Sequence, residues 1–506
     1  MSPGLVFRTL RHLKRGQVTD RIRRTLIRPK ARLAPTPPRR TLGSIAPPCG
    51  RPATVAGEPG TRLRLYNLHY QDALRAADLS AEDKDRMIRG WIAENPPMES
   101  AGWEPYTLSL RTVNWMLWAL TGGEADDALL DGLAVQIRAV EDQLERHLLG
   151  NHLWANAKAL VFAGLFFEGK EADAWLAKGL AIAEAERAEQ FLADGGHFEL
   201  SPTYHQLLTE DLLDLVNIAD GAGRALGGEW RDTAARALAW LQVMTRPDGQ
   251  VPLFNDAAQG VSPPTAELVD YGRRLGISAP PPVSPGLSRL AATGYYRWRA
   301  PGLDIWTKMG RIGPDYLPGH AHADCFTFEL FARGRPIIVD TGVSTYAPGP
   351  LRAYERGTAA HNTVQLADAD LAEMWASFRV GRRPDVTGLE VGASSVAAEH
   401  DGYARFRARH RRRFVFDQEG VTIEDELTGP RPGTARLHFA PGIEPVVDGL
   451  SVAAGPVRIQ CDGAGDLRIE RCEIARTFGE RAAAQCLSLD FSARLVTRIE
   501  RCASSS

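Results

Sequence analysis

Three of the twelve histidines of this 506-residue chain fall in two short motifs, Gly319-His320-Ala321-His322-Ala323-Asp324 and Ala360-His361-Asn362-Thr363, with Asp340 between them. The surrounding residues read as strands. A His-x-His pair in extended backbone puts both imidazoles on one face, because side chains alternate along a strand. One ring can then bind a metal while the other works beside it. Asp340 closes the apolar run Arg335–Val339, and His361 opens another strand-like run, Thr363–Leu366. Hairpins bring such strand ends together, so His322, Asp340 and His361 are candidates for an N/N/O site of the kind zinc accepts. The alternative is three polar loop residues with no metal, and ligands this far apart in sequence do not decide between the two.

Two further clusters lie in the first half of the chain. Gly150-Asn151-His152-Leu153-Trp154-Ala155-Asn156 opens a helix after a glycine, so Asn151 can serve as its cap, and a helix N-terminus also suits an anion. The second cluster runs from Asp194 through Gly195, Gly196, His197, Glu199 and Pro202 to Tyr204 and His205. Its glycines make a turn, and Pro202 starts or redirects a helix that holds Tyr204 and His205 near its beginning. Taken singly, each residue reads more readily as structural than as catalytic.

These residues must be positioned by a body whose composition is that of an ordinary soluble enzyme, 44% hydrophobic and 24% charged with a net charge of -2. Nothing in it points to nucleic acid. The charge is uneven, however. Residues 1–40 carry twelve Lys/Arg against one acid, Asp20, which leaves 48 basic and 61 acidic residues elsewhere. No run reaches the roughly 18 apolar residues of a membrane span. The start of the chain lacks a secretory pattern, since Arg8 and Arg11 interrupt its apolar residues, so a cytoplasmic protein is expected. Six cysteines without a CxxC read as buried thiols.

Residues 1–60 divide into one or two basic amphipathic helices and an extended stretch marked by Pro35, Pro37, Pro38, Pro47 and Pro48. The basic part reads as a solvated appendage, with contact to an anionic membrane surface as the functional alternative. From 61 to 280 the apolar residues recur at helical spacing, as in Thr112–Leu120, Leu129–Leu149, Leu153–Phe167, Ala172–Phe191, Thr209–Ala222 and Trp230–Met244. Short connections make these antiparallel hairpins, and several in succession predict a helical array or toroid. After Pro280-Pro281-Pro282, alternating runs such as Cys325–Leu330, Phe414–Phe416 and Val421–Ile423 predict an antiparallel β domain over 281–500, a sandwich. The His-x-His segment sits where that domain can face the helices, and clefts between domains are frequent ligand sites.

The ordered set NHLWAN, DGGHFELSPTYHQ, GHAHAD, VDTGVSTY and AAHNTV resembles the heparinase II/III family of polysaccharide lyases and is similar to certain alginate lyases, over about residues 60–500. The resemblance implies an incomplete (α/α) toroid followed by an antiparallel β-sandwich domain. It also implies β-elimination on a uronic-acid polysaccharide, in which a base removes the C5 proton beside the carboxylate and the glycosidic oxygen leaves C4. By position, Asn151 and His152 match the residues that neutralise the carboxylate. Tyr204 matches the tyrosine that acts as acid and often as base. His320 is either the base itself or the group that tunes Tyr204. Tyr346 matches a second active-site tyrosine, with Tyr354 as rival. The metal carries over as zinc on His322, Asp340 and His361, structural in role. Members are usually secreted or periplasmic, which conflicts with the missing leader pattern. Arg352 and Arg356 are available to a substrate carboxylate. A glycoside hydrolase would need paired acids, for which Glu104, Glu199 and Asp256 are available, and a non-catalytic glycan-binding or assembly protein is the third possibility.

Overall fold

The structure, a computed structural model, describes residues 3–27, 29–52 and 60–502. Its helices are α1 (Pro3–Leu10), α2 (Arg15–Leu26), α3 (Arg62–Tyr70), α4 (Ala81–Glu94), α5 (Pro105–Leu120), α6 (Asp127–Asp142), α7 (Gly150–Phe166), α8 (Lys170–Gln190), α9 (Pro202–Gly221), α10 (Gly228–Met244), α11 (Thr265–Arg274) and α12 (Pro350–Arg356). Strands from Gly286 onward make up the second half.

The helical half is an incomplete (α/α) toroid. Helices α5, α7 and α9 contact one another in turn, and α6, α8 and α10 each back one of them from outside. Amphipathicity sorts the two layers. Every residue of α7 except His152 is buried, as expected of a helix that is apolar all round. Its close approach to α8 depends on glycine, because a Cβ on Gly164 would lie 2.5 Å from Leu176 Cβ. The run Leu129–Leu149 does not form one helix. Helix α6 ends at Asp142, and residues 143–149 turn back so that Glu145 reaches the start of α7.

The β domain is antiparallel throughout its named strands. A five-stranded sheet runs in chain order from Gly286–Leu290 to Arg335–Ile338, and sheets of eight, four and two strands follow. The three large sheets share one apolar core. The five-stranded sheet is apolar on both faces, and its period of two divides the residues between two cores. Tyr296, Ile305 and Leu330 enter the β core, while Tyr295, Trp306 and Phe331 pack into the helical core. This sheet welds the halves together. One predicted strand is shorter than its pattern suggests. Cys325 and Phe326 sit in a turn, with Phe326 at φ 67, and the strand opens at Phe328. The His-x-His segment is likewise turn and loop rather than strand.

The N-terminal segment is not a free appendage. Arg8 bonds Glu373 of the β domain, and Asp20 accepts from the backbone N–H of His147 in the helical half. The Pro-rich stretch lies along the toroid. The Arg40 N–H donates to Phe166 O and the Gly43 N–H to Gly221 O, both at 2.8 Å. These are last-turn carbonyls of α7 and α9, groups that a helix cannot satisfy internally.

Trp306 is fully buried between sheet and toroid, and its indole donates to Val243 O at 3.0 Å. Trp306→Ala is expected to cost about 3–5 kcal/mol, measured by urea unfolding, because it hollows the seam and removes the indole bond to Val243 O.

Candidate active site

The first turns of the three inner helices supply one end of a cleft. Tyr106 is the second residue of α5, Asn151 the second of α7 and Tyr204 the third of α9. They line a cavity of about 260 Å³ together with Asp256, Tyr346 and Phe478. Helix N-termini carry unpaired N–H groups and a partial positive charge, which suits an anionic ligand.

Asn151 is not the helix cap. Leu149 holds that position at φ 64, ψ -156 and makes no side-chain cap bond. Gly150 follows at φ 55, and a Cβ there would meet Leu317 Cδ2 at 2.3 Å. The strained turn drives Asn151 and His152 into the first turn, beside the Tyr106 ring, whose centroid is 4.4 Å from that of His152. His152 Nδ1 is 3.0 Å from Glu145 Oε1. Burial lowers the pKa of His152, but the charge and hydrogen bond of Glu145 outweigh it and leave the imidazole above its ordinary value.

Tyr204 is held by a similar device. Leu200 takes φ 58, Pro202 opens α9, and Thr203 Oγ1 donates to Ala258 O at 3.0 Å. The Tyr204 ring stacks on His320 with centroids 3.8 Å apart. Its hydroxyl lies 3.3 Å from that of Tyr346. Burial, and then the neighbouring tyrosines, push the Tyr204 phenol well above the ordinary tyrosine range. Tyr346, not Tyr354, reaches the cleft. Tyr354 is 40% exposed and absent from the cleft walls. His205 is structural, with Nδ1 accepting from the His197 N–H and Nε2 facing Ala237 O at 3.0 Å.

Asp256 joins the two halves at this point. One of its oxygens is 2.9 Å from His320 Nδ1 and the other 2.7 Å from His322 Nε2, while Arg352 makes a two-pronged ion pair with both. The His-x-His rings therefore do converge, on a carboxylate from the helical half. Burial raises the pKa of Asp256, but Arg352 and the two histidines prevail and hold it well below the carboxylate range. On the other side of His320, Glu199 Oε2 lies 3.6 Å from Nε2. Burial raises the Glu199 pKa against the pull of His320.

Arg352 and Arg356 are not available to a substrate. Both are buried, Arg352 on Asp256 and Arg356 on the carbonyls of Ala321 and Ala376. Glu104 is spent at the surface on Arg62 and Tyr66.

The residues expected to hold zinc are brought close. His322 and His361 are fully buried with ring centroids 5.3 Å apart. Asp340 Oδ2 lies 2.9 Å from His361 Nδ1. His322 Nδ1 and His361 Nε2 have no hydrogen-bond partner. Burial lowers the His322 pKa to about 3, so the ring is neutral. It donates Nε2–H to Asp256 and keeps a lone pair on Nδ1, the arrangement by which a carboxylate orients a metal-binding histidine. Among the described residues, no three His, Cys, Asp or Glu side chains already stand as a ligand group.

Sequence reasoning missed Tyr106 and Glu145 and gave Asp256 only a hydrolytic role. Pro105-Tyr106 at the start of α5 parallels Pro202-Thr203-Tyr204 at the start of α9, a signal that was legible. Glu145 and Asp256 stand in irregular segments, where no periodicity indicates a direction.

An incomplete (α/α) toroid joined to a β-sandwich is the fold class that these halves define. Residues 87–267 match the heparinase II/III N-terminus and residues 282–503 the heparinase II/III-like C-terminal domain. The chain belongs to the heparinase II/III family. It is 29% identical over 314 residues to a heparin-sulfate lyase of Bacteroides stercoris, a match covering 57% of this chain and 45% of that protein. It is also 29% identical over 265 residues to a heparin-sulfate lyase of Pedobacter heparinus, covering 46% and 38% respectively. The match thus spans less than half the length of these relatives. Among solved structures, heparinase III superposes with a TM-score of 0.71 at 20% identity, over 89% of this chain and 79% of that one. A chondroitin AC lyase of Streptomyces coelicolor gives 0.53 at 14% identity, over 87% and 74%.

Removing the charge of Asp256 leaves Arg352 buried and uncompensated. Asp256→Asn is expected to destabilise the protein by about 3–5 kcal/mol, read from chemical unfolding, whereas Asp315→Asn on the surface should shift it little.

Proposed function

We propose that the protein is a polysaccharide lyase that cleaves a uronic-acid-containing acidic polysaccharide by β-elimination. The observation that carries this reading is Tyr204, which lines one cavity with Asn151 and Tyr346 and stacks on His320. The family and the heparin-sulfate lyase names of its relatives favour an acidic glycan.

The difficulty of the reaction is the weakly acidic C5 proton. Donors aimed at the substrate carboxylate stabilise the enolate-like transition state, most effectively in a partly dry cleft. Asn151 supplies an amide there, and Glu145 biases the neighbouring His152 imidazole toward its protonated form. His320 is the base in this reading. With Nδ1–H donated to Asp256, the lone pair is on Nε2, on the side where Glu199 Oε2 stands 3.6 Å away. Tyr204 is the acid, because its environment keeps the phenol protonated until the leaving oxygen needs the proton. Tyr346 holds the Tyr204 hydroxyl at 3.3 Å.

Hydrolysis is disfavoured by the acids themselves. Glu199 and Asp256 both contact His320 rather than flank an open gap, and the oxygens of Asp256 are taken up by three partners.

We also assign a structural zinc ion to His322, Asp340 and His361. The lone pair left on His322 Nδ1 and the N/N/O donor set support it. Such an ion would tie the loop after Asp340 and the segment after α12 to the His-x-His loop.

A screen of uronic-acid polymers, followed by ultraviolet absorbance of the unsaturated end and by mass spectrometry, tests the reaction. Products that have gained water would make the protein a hydrolase. Tyr204→Phe and His320→Ala should each lower turnover by about 10²–10⁴-fold with substrate binding largely retained, and full activity in either removes that residue from the mechanism. For the metal, His322→Ala and His361→Ala should lower both zinc content and melting temperature, while His320→Ala keeps the zinc. Stoichiometric zinc in the double variant His322→Ala, His361→Ala would refute the site.

A further inference from the structure

The basic N-terminal segment belongs to neither the cleft nor the two cores, and it is held to the body by half-buried apolar residues such as Leu5, beside Gly381, and by polar contacts. Lys14 pairs with Glu189, Arg32 with Glu141 at 2.7 Å and Asp142 at 2.9 Å, and Trp375 Nε1 donates to Thr9 Oγ1 at 3.1 Å. The single acid of the segment, Asp20, is 6% exposed and turned inward against His147. Among the described residues of the segment, no acid therefore faces solvent.

The apolar part is concentrated. Seven of the fifteen exposed large hydrophobic residues among the described residues lie between Phe7 and Leu33, a density that scattered surface residues do not produce. In α2, Val18, Ile22 and Leu26 recur every fourth residue and so share one face; Ile22 is 55% and Leu26 77% exposed. Phe7 and Leu10 of α1, and Ile27 and Leu33 beyond α2, are exposed as well. The exposed cations Arg11, Arg15, Arg23 and Lys30 are interleaved with them.

We propose that α1, α2 and the chain to Leu33 form a docking surface for an anionic lipid bilayer. In this arrangement Phe7, Ile22 and Leu26 enter the boundary between headgroups and acyl chains, and Arg11, Arg15, Arg23 and Lys30 lie on lipid phosphates. Charge selects the occupant. The exposed Arg11, Arg15, Arg23 and Lys30, with no exposed acid between Pro3 and Leu33 among the described residues, favour an anionic partner, and exposed Leu, Ile and Phe gain more from lipid than from a polysaccharide. Cations between the apolar tips also break up the continuous face that a protein groove would cover. The rest of the chain, with 61 acids against 48 bases, is repelled by the same surface. That repulsion turns this side of the molecule toward the bilayer.

The test is sedimentation of the full chain with vesicles of phosphatidylcholine mixed with phosphatidylglycerol, beside vesicles of phosphatidylcholine alone. Binding should require the anionic lipid and weaken with salt. It should fall about fivefold in Arg23→Ala and by tenfold or more in the double variant Ile22→Asp, Leu26→Asp. Both side chains point to solvent, so an unchanged melting temperature confirms that the double variant folds. Absence of binding to either vesicle overturns the proposal, as does equal binding to both or undiminished binding by the folded double variant. Two other outcomes would also overturn it. Self-association that the double variant abolishes, without vesicle binding, would assign the surface to a second copy of the chain, and retention on an acidic polysaccharide in place of vesicles would assign it to glycan.

Discussion

The site rests on one buried carboxylate. Asp256 comes from the segment that follows α10, and its three charged or polar partners, His320, His322 and Arg352, all come from beyond the domain change. A carboxylate in a dry interior is costly, and attraction offsets that cost only where the geometry is nearly complete. Here both oxygens are engaged. The same bonds close the two halves on each other and fix the nitrogen on which His320 keeps its lone pair. The shared sheet supplies apolar area to this junction together with directed bonds such as Trp306 to Val243 O and Arg246 to Glu329. The Asp256 network adds direction at the cleft.

Strain is placed beside this network. Leu149 and Leu200 take positive φ just before Asn151 and Tyr204, and Asn255 does so immediately before Asp256. An L-residue in the left-handed region costs on the order of 1–3 kcal/mol and persists only where its surroundings enforce it. In each case the effect is to turn a side chain from the helix or loop axis into the cleft. Asn255 also earns its place through its side chain, which donates to Leu200 O at 2.8 Å and accepts from Lys308. One strained position thereby helps to support another.

Much of this was legible in the sequence, and the reason is periodicity. Helices α5 to α10 announce themselves by apolar spacing, and the shift to alternation after Pro280 marks the β domain. The same signal fails where backbone leaves regular geometry. Cys325–Leu330 alternates like a strand, yet Phe326 is in the left-handed region and only the part from Phe328 pairs. Leu129–Leu149 is apolar enough for one helix, but its last residues instead form the turn that delivers Glu145 to His152. Arg352 and Arg356 looked available because sequence carries no record of which buried acceptors a guanidinium will find. Asn151, His152, Tyr204, His320 and Tyr346 were named from a resemblance of motifs; Asn151, Tyr204 and Tyr346 line one cavity, while His152 packs on Tyr106 and His320 on Tyr204 behind its wall. Tyr106 was not named, although its Pro-Tyr start imitates that of α9.

The acidic substrate proposed for this acidic protein would raise an electrostatic problem that the cleft itself resolves. Near its walls stand Glu210, Asp211, Asp214 and Asp256, which left bare would repel a uronate. Each is already matched. Arg51 and Arg75 bond Glu210, Lys158 lies 2.6 Å from both Asp211 and Asp214, and Arg352 neutralises Asp256. Glu199 lacks such a cation, but burial raises its pKa, so it is biased toward the neutral acid. Glu210, Asp211 and Asp256 in the cleft wall are thus paired with cations, Asp72 accepts from the Asn114 amide, and the wall also carries the Asn151 amide, the phenols of Tyr106, Tyr204 and Tyr346 and the first turns of three helices. A cleft of this kind attracts an anion through donors and dipoles rather than through a cluster of free cations. It would therefore recognise a carboxylate by hydrogen-bond geometry more than by the number of its charges.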